Sequence, residues 1–295
     1  MQGGNCSSKR KKSLREKIGE GKAPFVVFLT LRALVVVSMV HSALVGRFEH
    51  VVLCALVLFL LLLPSFLERS LNIDLPHTLE CILLFFIFAA EILGEVDSFY
   101  LRIPFWDTLL HTTWGFICAG IGFALVDILN RGRASRIHLS PAYMAIAAVC
   151  FSMTVGACWE MFEYAMDGAA GFDMQKDTVV QQFQSVTLDP TQTNIAVPVR
   201  DVQATVIELA DGETVRIEGG YLDIGLHDTM GDLIVNLAGA VTFSVFGFVY
   251  VKTRDRTSFA AQFIPIVRDG REEQAGASAQ NAAGEQGDDG GGKDL

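Results

Sequence analysis

Six stretches of the chain, near residues 25–45, 50–67, 77–95, 105–127, 141–166 and 228–251, are strongly apolar and nearly free of charge. At ~1.5 Å rise per residue, each is about long enough to cross a hydrocarbon core of ~30 Å as a helix. Helices satisfy their backbone groups internally, so a helical bundle is expected and not a barrel. A basic stretch precedes the first run, as in a signal peptide, but that leader exceeds twenty residues and the run has nearly full spanning length. A retained helix is the expectation. The pattern changes after the fifth run. "DVQATVIELADGETVRIEGGYLDI" alternates apolar and polar residues on both sides of Asp211 and Gly212, which predicts a β-hairpin.

The expected fold class is therefore an all-α membrane protein, a six-helix transmembrane bundle with a small extracytoplasmic β-hairpin insert and disordered termini. Its parts are a basic cytoplasmic tail (1–24), helices one to five (25–166), an extracytoplasmic insert (167–227), helix six (228–252) and a cytoplasmic tail (253–295). The Gly/Ala/acid-rich end of that tail, from about 268, is expected to be disordered. The hairpin reads as a rigid lid or spacer, or as a recognition element for a substrate or partner. No internal repeat is visible.

Charge orients the bundle. Lys9, Arg10, Lys11, Lys12, Arg15, Lys17 and Lys22 precede the first run. The loops on the same side carry Arg69, then Arg131, Arg133 and Arg136, then Lys252, Arg254 and Arg256, whereas the long insert on the other side is acidic. The positive-inside rule puts both termini in the cytoplasm. The net charge of −10, from 23 Lys and Arg against 33 Asp and Glu, gives no reason to expect nucleic-acid binding. The basic leader is suited to anionic lipid headgroups. Of the six cysteines, Cys54, Cys81, Cys118, Cys150 and Cys158 lie in apolar runs and Cys6 in the leader, so the insert has none for a disulfide.

With that topology, the awkward charges gather in the outer half of the bundle. Asp107 enters the fourth run at the rim, with His111 one turn, ~6 Å, deeper. Glu160 and Glu163 leave through the fifth run, and Asp228, Asp232 and Asn236 enter through the sixth at four-residue steps. Each continues into a row of small residues: Gly115 and Ala119; Gly156, Ser152 and Ala148; Ala240 and Ser244. Small residues mark close helix contacts, so these polar groups should face neighbouring helices and not lipid. A charge at bilayer depth costs about 2.5–3.5 kcal/mol on insertion scales, which keeps such groups in interiors or watery cavities.

Asp107, His111, Glu160, Glu163, Asp228 and Asp232 supply five carboxylates and one imidazole, with no Lys or Arg at their depth. Shared protons or a bound divalent cation must offset that charge. His111, Glu160, Glu163 and Asp232 are the candidate metal ligands, and Glu160, Glu163 and Asp232 the candidate catalytic groups. Asp107, Asp228 and Asn236 stand around them or at the rim. An imidazole among oxygens suits Mn²⁺, Zn²⁺ or Fe²⁺, and an all-oxygen subset suits Mg²⁺ or Ca²⁺. Metal-assisted hydrolysis or transfer is one reading. A proton-coupled transporter is another, and a structural polar network in a membrane interaction protein is the third.

"DTLLH", "WEMFEY" and "DTMGDLIVNLAGA", on three successive runs, resemble the motifs of VanZ-related bacterial membrane proteins, especially the YjdF-type inner-membrane family. The resemblance covers roughly 77–252, and Met174–Asp177 is similar to the loop that follows the Glu motif there. It implies a multi-pass protein of the bacterial cytoplasmic membrane, with Gln175 and Asp177 at the rim of the site. The expected partners are the bilayer and, in the metal-assisted reading of the site, a lipid-linked or amphiphilic envelope substrate. The long insert and the acidic tail depart from that pattern.

Overall fold

The computed structural model describes residues 22–71, 73–131, 139–253, 259–264 and 266–267. The leader with Cys6, the loop arginines Arg133 and Arg136, Arg254 and Arg256, and the tail from 268 lie outside the described residues. The chain forms two compact units, one from residues up to Asp97 together with those from Ala261 onward, the other from Ser98–Ala260.

The first unit is helical. Helix α1 (Lys22–Val45) packs on α2 (Phe48–Leu60) and on α4 (His77–Phe88), with α3 (Leu63–Leu71) after a brief turn. Leu31, Val35, Cys54, Val57, Leu61, Leu84 and Ile92 form its core. Strands β1 (Ile73–Asp74) and β8 (Ile266–Val267) pair antiparallel. The third apolar run stays helical throughout but changes its winding: α4 passes into a π-helix over Ala89–Val96, and the Asp97 amide reaches back to the Ile92 carbonyl at 2.9 Å. The change of winding divides that run into a 12-residue α-helix and an 8-residue π-helix, so it is not one of the helices that are long and apolar enough to cross a membrane. Among the described residues these are five: Pro24–Val45, Phe48–Ser70, Trp106–Asn130, Pro141–Ala170 and Leu226–Thr253.

The second unit is built on three helices. A short α5 (Phe99–Arg102) leads into α6 (Trp106–Arg131), which packs against α7 (Pro141–Ala170) and most closely against α8 (Leu226–Thr253). Ser140 caps α7 by accepting the Tyr143 N–H, with Pro141 preset for the first turn, and Gly171 ends the helix at φ +69°. Helices α6 and α8 touch backbone to backbone. A Cβ on Gly239 would stand 2.0 Å from the Thr112 carbonyl oxygen, and one on Gly115 would stand 2.1 Å from that of Asn236. Glycine at both positions is what lets the helices meet.

Helix α8 is inverted relative to a soluble helix. It buries Asp232, Asn236, Gly239, Ala240, Phe243, Ser244, Gly247 and Tyr250, and it exposes Ile234, Val241, Val245 and Val249. In water each of those outward aliphatics would forgo about 1.5–3 kcal/mol of burial. Against acyl chains it forgoes nothing, and the polar stripe is kept inside.

Between α7 and α8 lie six short strands in three antiparallel pairs. β2 (Thr178–Val180) pairs with β7 (Tyr221–Asp223), β3 (Phe183–Ser185) with β4 (Val197–Val199), and β5 (Ala204–Glu208) with β6 (Thr214–Glu218). The β5–β6 hairpin is the one the alternation predicts. Its tip is closed by the Leu209 and Gly212 amides, with Gly212 at φ +87° and Asp211 accepting the Glu213 N–H. The other two pairs have strands too short to alternate visibly. Between β3 and β4, the carboxylate of Asp189 accepts the amides of Thr191, Thr193 and Ile195 and the Thr191 hydroxyl. The Thr191 hydroxyl and these amides hold the Asp189 carboxyl well below the usual carboxylate range.

Candidate functional site

Helical spacing assembles the site. Asp107 and His111 sit one turn apart on α6, Glu160 and Glu163 lie on α7, and Asp232 and Asn236 sit one turn apart on α8. The imidazole of His111 is the centre. Its Nε2 lies 3.5 Å from Asp107 Oδ1 and 3.9 Å from Asp232 Oδ2, and its Nδ1 lies 3.7 Å from Glu160 Oε1. These separations are too long for direct hydrogen bonds. They are close to those around a shared ion, since ligand atoms at bond lengths of ~2.1 Å stand ~3.0–4.2 Å from one another. Asp107, His111 and Asp232 each offer a ligand atom, and these atoms all lie within 4.8 Å of one another. That group could hold a metal ion.

Glu160 is the least comfortable member. It is 4% exposed, and neither carboxylate oxygen has a hydrogen bond of ordinary length, although the Thr229 hydroxyl and the His111 ring stand nearby. A buried carboxylate left this way carries its full desolvation cost unless a proton or a cation meets it. Glu163, also buried, is differently placed, because the Trp159 indole N–H on its own helix donates to its Oε1 at 2.8 Å.

The remaining expected residues line the approach or the floor. The Lys176 amide donates to Asp228 Oδ2 at 2.7 Å, and the Gln175 side-chain amide donates to the Thr229 hydroxyl. Asp177 is exposed. Asn236, 1% exposed, lies below the cluster, where its amide nitrogen contacts the Ser152 carbonyl and Met153 Sδ while its Oδ1 has no partner. A Cβ on Gly156 would stand 2.9 Å from that amide nitrogen, so the four-residue row of small residues on α7 is the seat of Asn236.

Three features escape the sequence reading. Lys176 belongs to a loop, yet the loop folds back to the acids: its amide donates to Asp228 Oδ2, and its ammonium donates to the Asp173 carbonyl. Asp167 anchors that loop by accepting the Met174 and Gln175 amides at 2.6 and 2.9 Å. Its position four residues after Glu163 on one helix face is the one signal that places it near the site. Asp127 is 2% exposed, sixteen residues beyond His111 on α6 and so ~24 Å along the helix. It directly follows the apolar stretch that makes the inner half of that run look uncharged.

Residues 24–253 match the family described as "Predicted membrane protein (DUF2238)". The chain belongs to this family. The match begins at the first residue of the first candidate spanning helix and ends at the last residue of the final one. It therefore takes in the whole α6–α7–α8 site and the strands between α7 and α8. A member of this family is a membrane protein, which agrees with helices that put branched aliphatics outside and polar groups inside. No curated protein and no solved structure matches the chain.

Proposed function

We propose that the protein spans the bacterial cytoplasmic membrane six times, with both termini inside and the stranded insert outside. In this reading the α6–α7–α8 site opens near the outer surface and binds a divalent cation. The cation serves metal-assisted hydrolysis or transfer on a lipid-linked or amphiphilic envelope substrate, in keeping with the resemblance to VanZ-related proteins. The observation that carries the reading is the sealed Glu160 carboxylate beside the Asp107–His111–Asp232 group.

Within that reading Asp107, His111 and Asp232 hold the ion from two helices, and Glu160 approaches through the other ring nitrogen of His111. The ion supplies positive charge for an activated water or a polarised phosphoryl or acyl oxygen. Glu160 can take a proton at its sealed carboxylate. Glu163, oriented by Trp159, sits one turn nearer the outer surface, where a leaving group would depart.

The test is thermal unfolding of the full chain in lipid nanodiscs with chelator and with Mn²⁺, Zn²⁺, Mg²⁺ or Ca²⁺. An ion at about a hundredfold its Kd stabilises by about 2.7 kcal/mol. That gain should vanish in Asp232→Asn and His111→Ala and persist in Asp177→Asn. A wild-type protein that holds no stoichiometric metal, and whose melting temperature none of the four ions moves, removes the reading.

A second reading, proton-coupled transport, draws on Asp127. With Asn236, Ser152 and Ser244 buried between the two levels, the bundle holds polar groups beyond its outer half. Uptake or efflux in proteoliposomes that disappears in both Glu160→Gln and Asp127→Asn would favour it.

A further inference from the structure

Among the described residues of the insert, 172–225, no apolar side chain is buried. Its strands form three separate pairs, and a lone two-stranded hairpin is marginally stable at best in water. The β5–β6 hairpin shows what is left uncovered. Its register pairs Thr205 with Ile217 and Ile207 with Val215, so these four share one face, and the alternation adds Leu209. On that face Ile207, Leu209 and Val215 are 41%, 42% and 46% exposed. The other face carries Glu208, Arg216 and Glu218, and Arg216 Nε donates to Glu218 Oε1 at 2.6 Å.

The aliphatic face is the one tied to the chain that descends into α8. Thr205 sits on it, and its hydroxyl donates to the Gly220 carbonyl and accepts the Leu222 amide. The face is thereby fastened to β7, which ends at Asp223, and α8 begins at Leu226. Three residues of chain span about 10 Å at most. Ile224 and Leu226 at this junction are exposed, and Leu226, Met230 and Ile234 run on at four-residue steps into the aliphatic face that α8 turns to acyl chains. The uncovered hairpin face is thus continuous with the lipid-facing surface. A second copy of the chain is a poorer cover, because a stable interface takes about 20–30 residues from each partner and the hairpin face offers a handful.

We propose that the aliphatic face of the β5–β6 hairpin docks on the bilayer, at the boundary between headgroups and acyl chains, with its charged face turned to water. Ile207, Leu209 and Val215 then have the same cover as the outward face of α8. Through β7 and its partner β2, the seated hairpin steadies the 174–176 segment that leads into β2 and is bonded to Asp228 beside the acidic site. The docking is independent of any cation at that site.

The experiment places one full-length chain in each phosphatidylcholine nanodisc and compares Val215→Cys with Thr214→Cys, whose thiols leave opposite faces of one strand. Each is labelled with a charged maleimide and with a lipid-soluble one, and mass spectrometry of the hairpin peptide separates these thiols from the native cysteines. The ratio of lipid-soluble to charged labelling cancels each thiol's own reactivity, and it should be about tenfold higher at position 215 than at 214. Ile207→Cys, on the same face, should behave as Val215→Cys and replaces it if that variant melts early. A difference under about threefold overturns the proposal: fast charged labelling at 215 puts the face in water, and slow labelling by both reagents puts it against protein. A contrast that appears only in discs holding two chains assigns the face to a second copy and overturns it as well.

Discussion

Replacing Gly239 with alanine tests whether the α6–α8 contact sets the geometry of the site. The added Cβ would fall 2.0 Å from the Thr112 carbonyl oxygen and 2.9 Å from the Phe116 amide nitrogen. Neither atom belongs to a side chain that could rotate away, so the helices must separate by roughly 1.4 Å to bring the 2.0 Å approach to an ordinary contact of 3.4 Å. Overpacking of this kind costs about 1–3 kcal/mol, and the higher end applies when backbone meets backbone. Alanine in a helix returns about 0.5–1 kcal/mol relative to glycine, which leaves a net loss of about 2 kcal/mol. For a chain of this size that is a fall of about 4–8 °C in melting temperature. Gly231 is the control, because a Cβ there meets nothing within 4 Å, and Gly231→Ala should hold or raise the melting temperature. The separation also carries Asp232 away from His111, now 3.9 Å apart, so Gly239→Ala should lose the stabilisation by Mn²⁺ although it alters no polar residue. Thermal unfolding in nanodiscs with and without Mn²⁺ reads both effects. Equal melting temperatures for the two alanine variants would refute the argument that these helices are held at backbone contact.

Glu160→Gln removes a sealed charge while keeping the side chain's shape, so it should raise the melting temperature without metal by an amount equivalent to about 1–3 kcal/mol and abolish metal stabilisation; a lower melting temperature would show that the carboxylate is already well served. Asp189 gives a pH signature: its folded carboxyl titrates below the unfolded one at ~3.9, so its contribution is fully present above pH ~4 and is lost as pH falls through the folded value. Exchange protection of the Thr191, Thr193 and Ile195 amides, corrected for intrinsic rates, should hold from neutral pH to about 4 and decline below it, and Asp189→Asn should be poorly protected across the range. The outside placement of the insert is checked by Asp211→Cys, whose thiol at the hairpin tip should react with an impermeant maleimide added to intact cells or spheroplasts. Labelling only after lysis would invert the topology.

The parts of this molecule legible in the sequence are those governed by a repeat. Four-residue spacing on α6, α7 and α8 puts Asp107 with His111, Glu160 with Ser152 and Gly156, and Asp232 with Asn236, and the folded chain turns each of these sets inward. Alternation gives β5 and β6 with Gly212 at the tip, because a two-residue period and a positive-φ residue are both local properties. What the sequence leaves open depends on contacts distant along the chain. His111 meets Glu160 and Asp232 across 49 and 121 intervening steps of numbering, and no periodicity specifies which ring nitrogen faces which acid. Lys176 illustrates the same limit from the other side. As a residue it lies outside every apolar run, so counting charges by depth removes it from the site. It returns only because Asp167, Thr229 and Asp228 fasten the 174–176 segment beside the site. Two of those three fasteners are themselves carboxylates near the acidic cluster. The acids at the rim therefore do more than add to its charge: Asp228 also holds in place the backbone that runs beside the site.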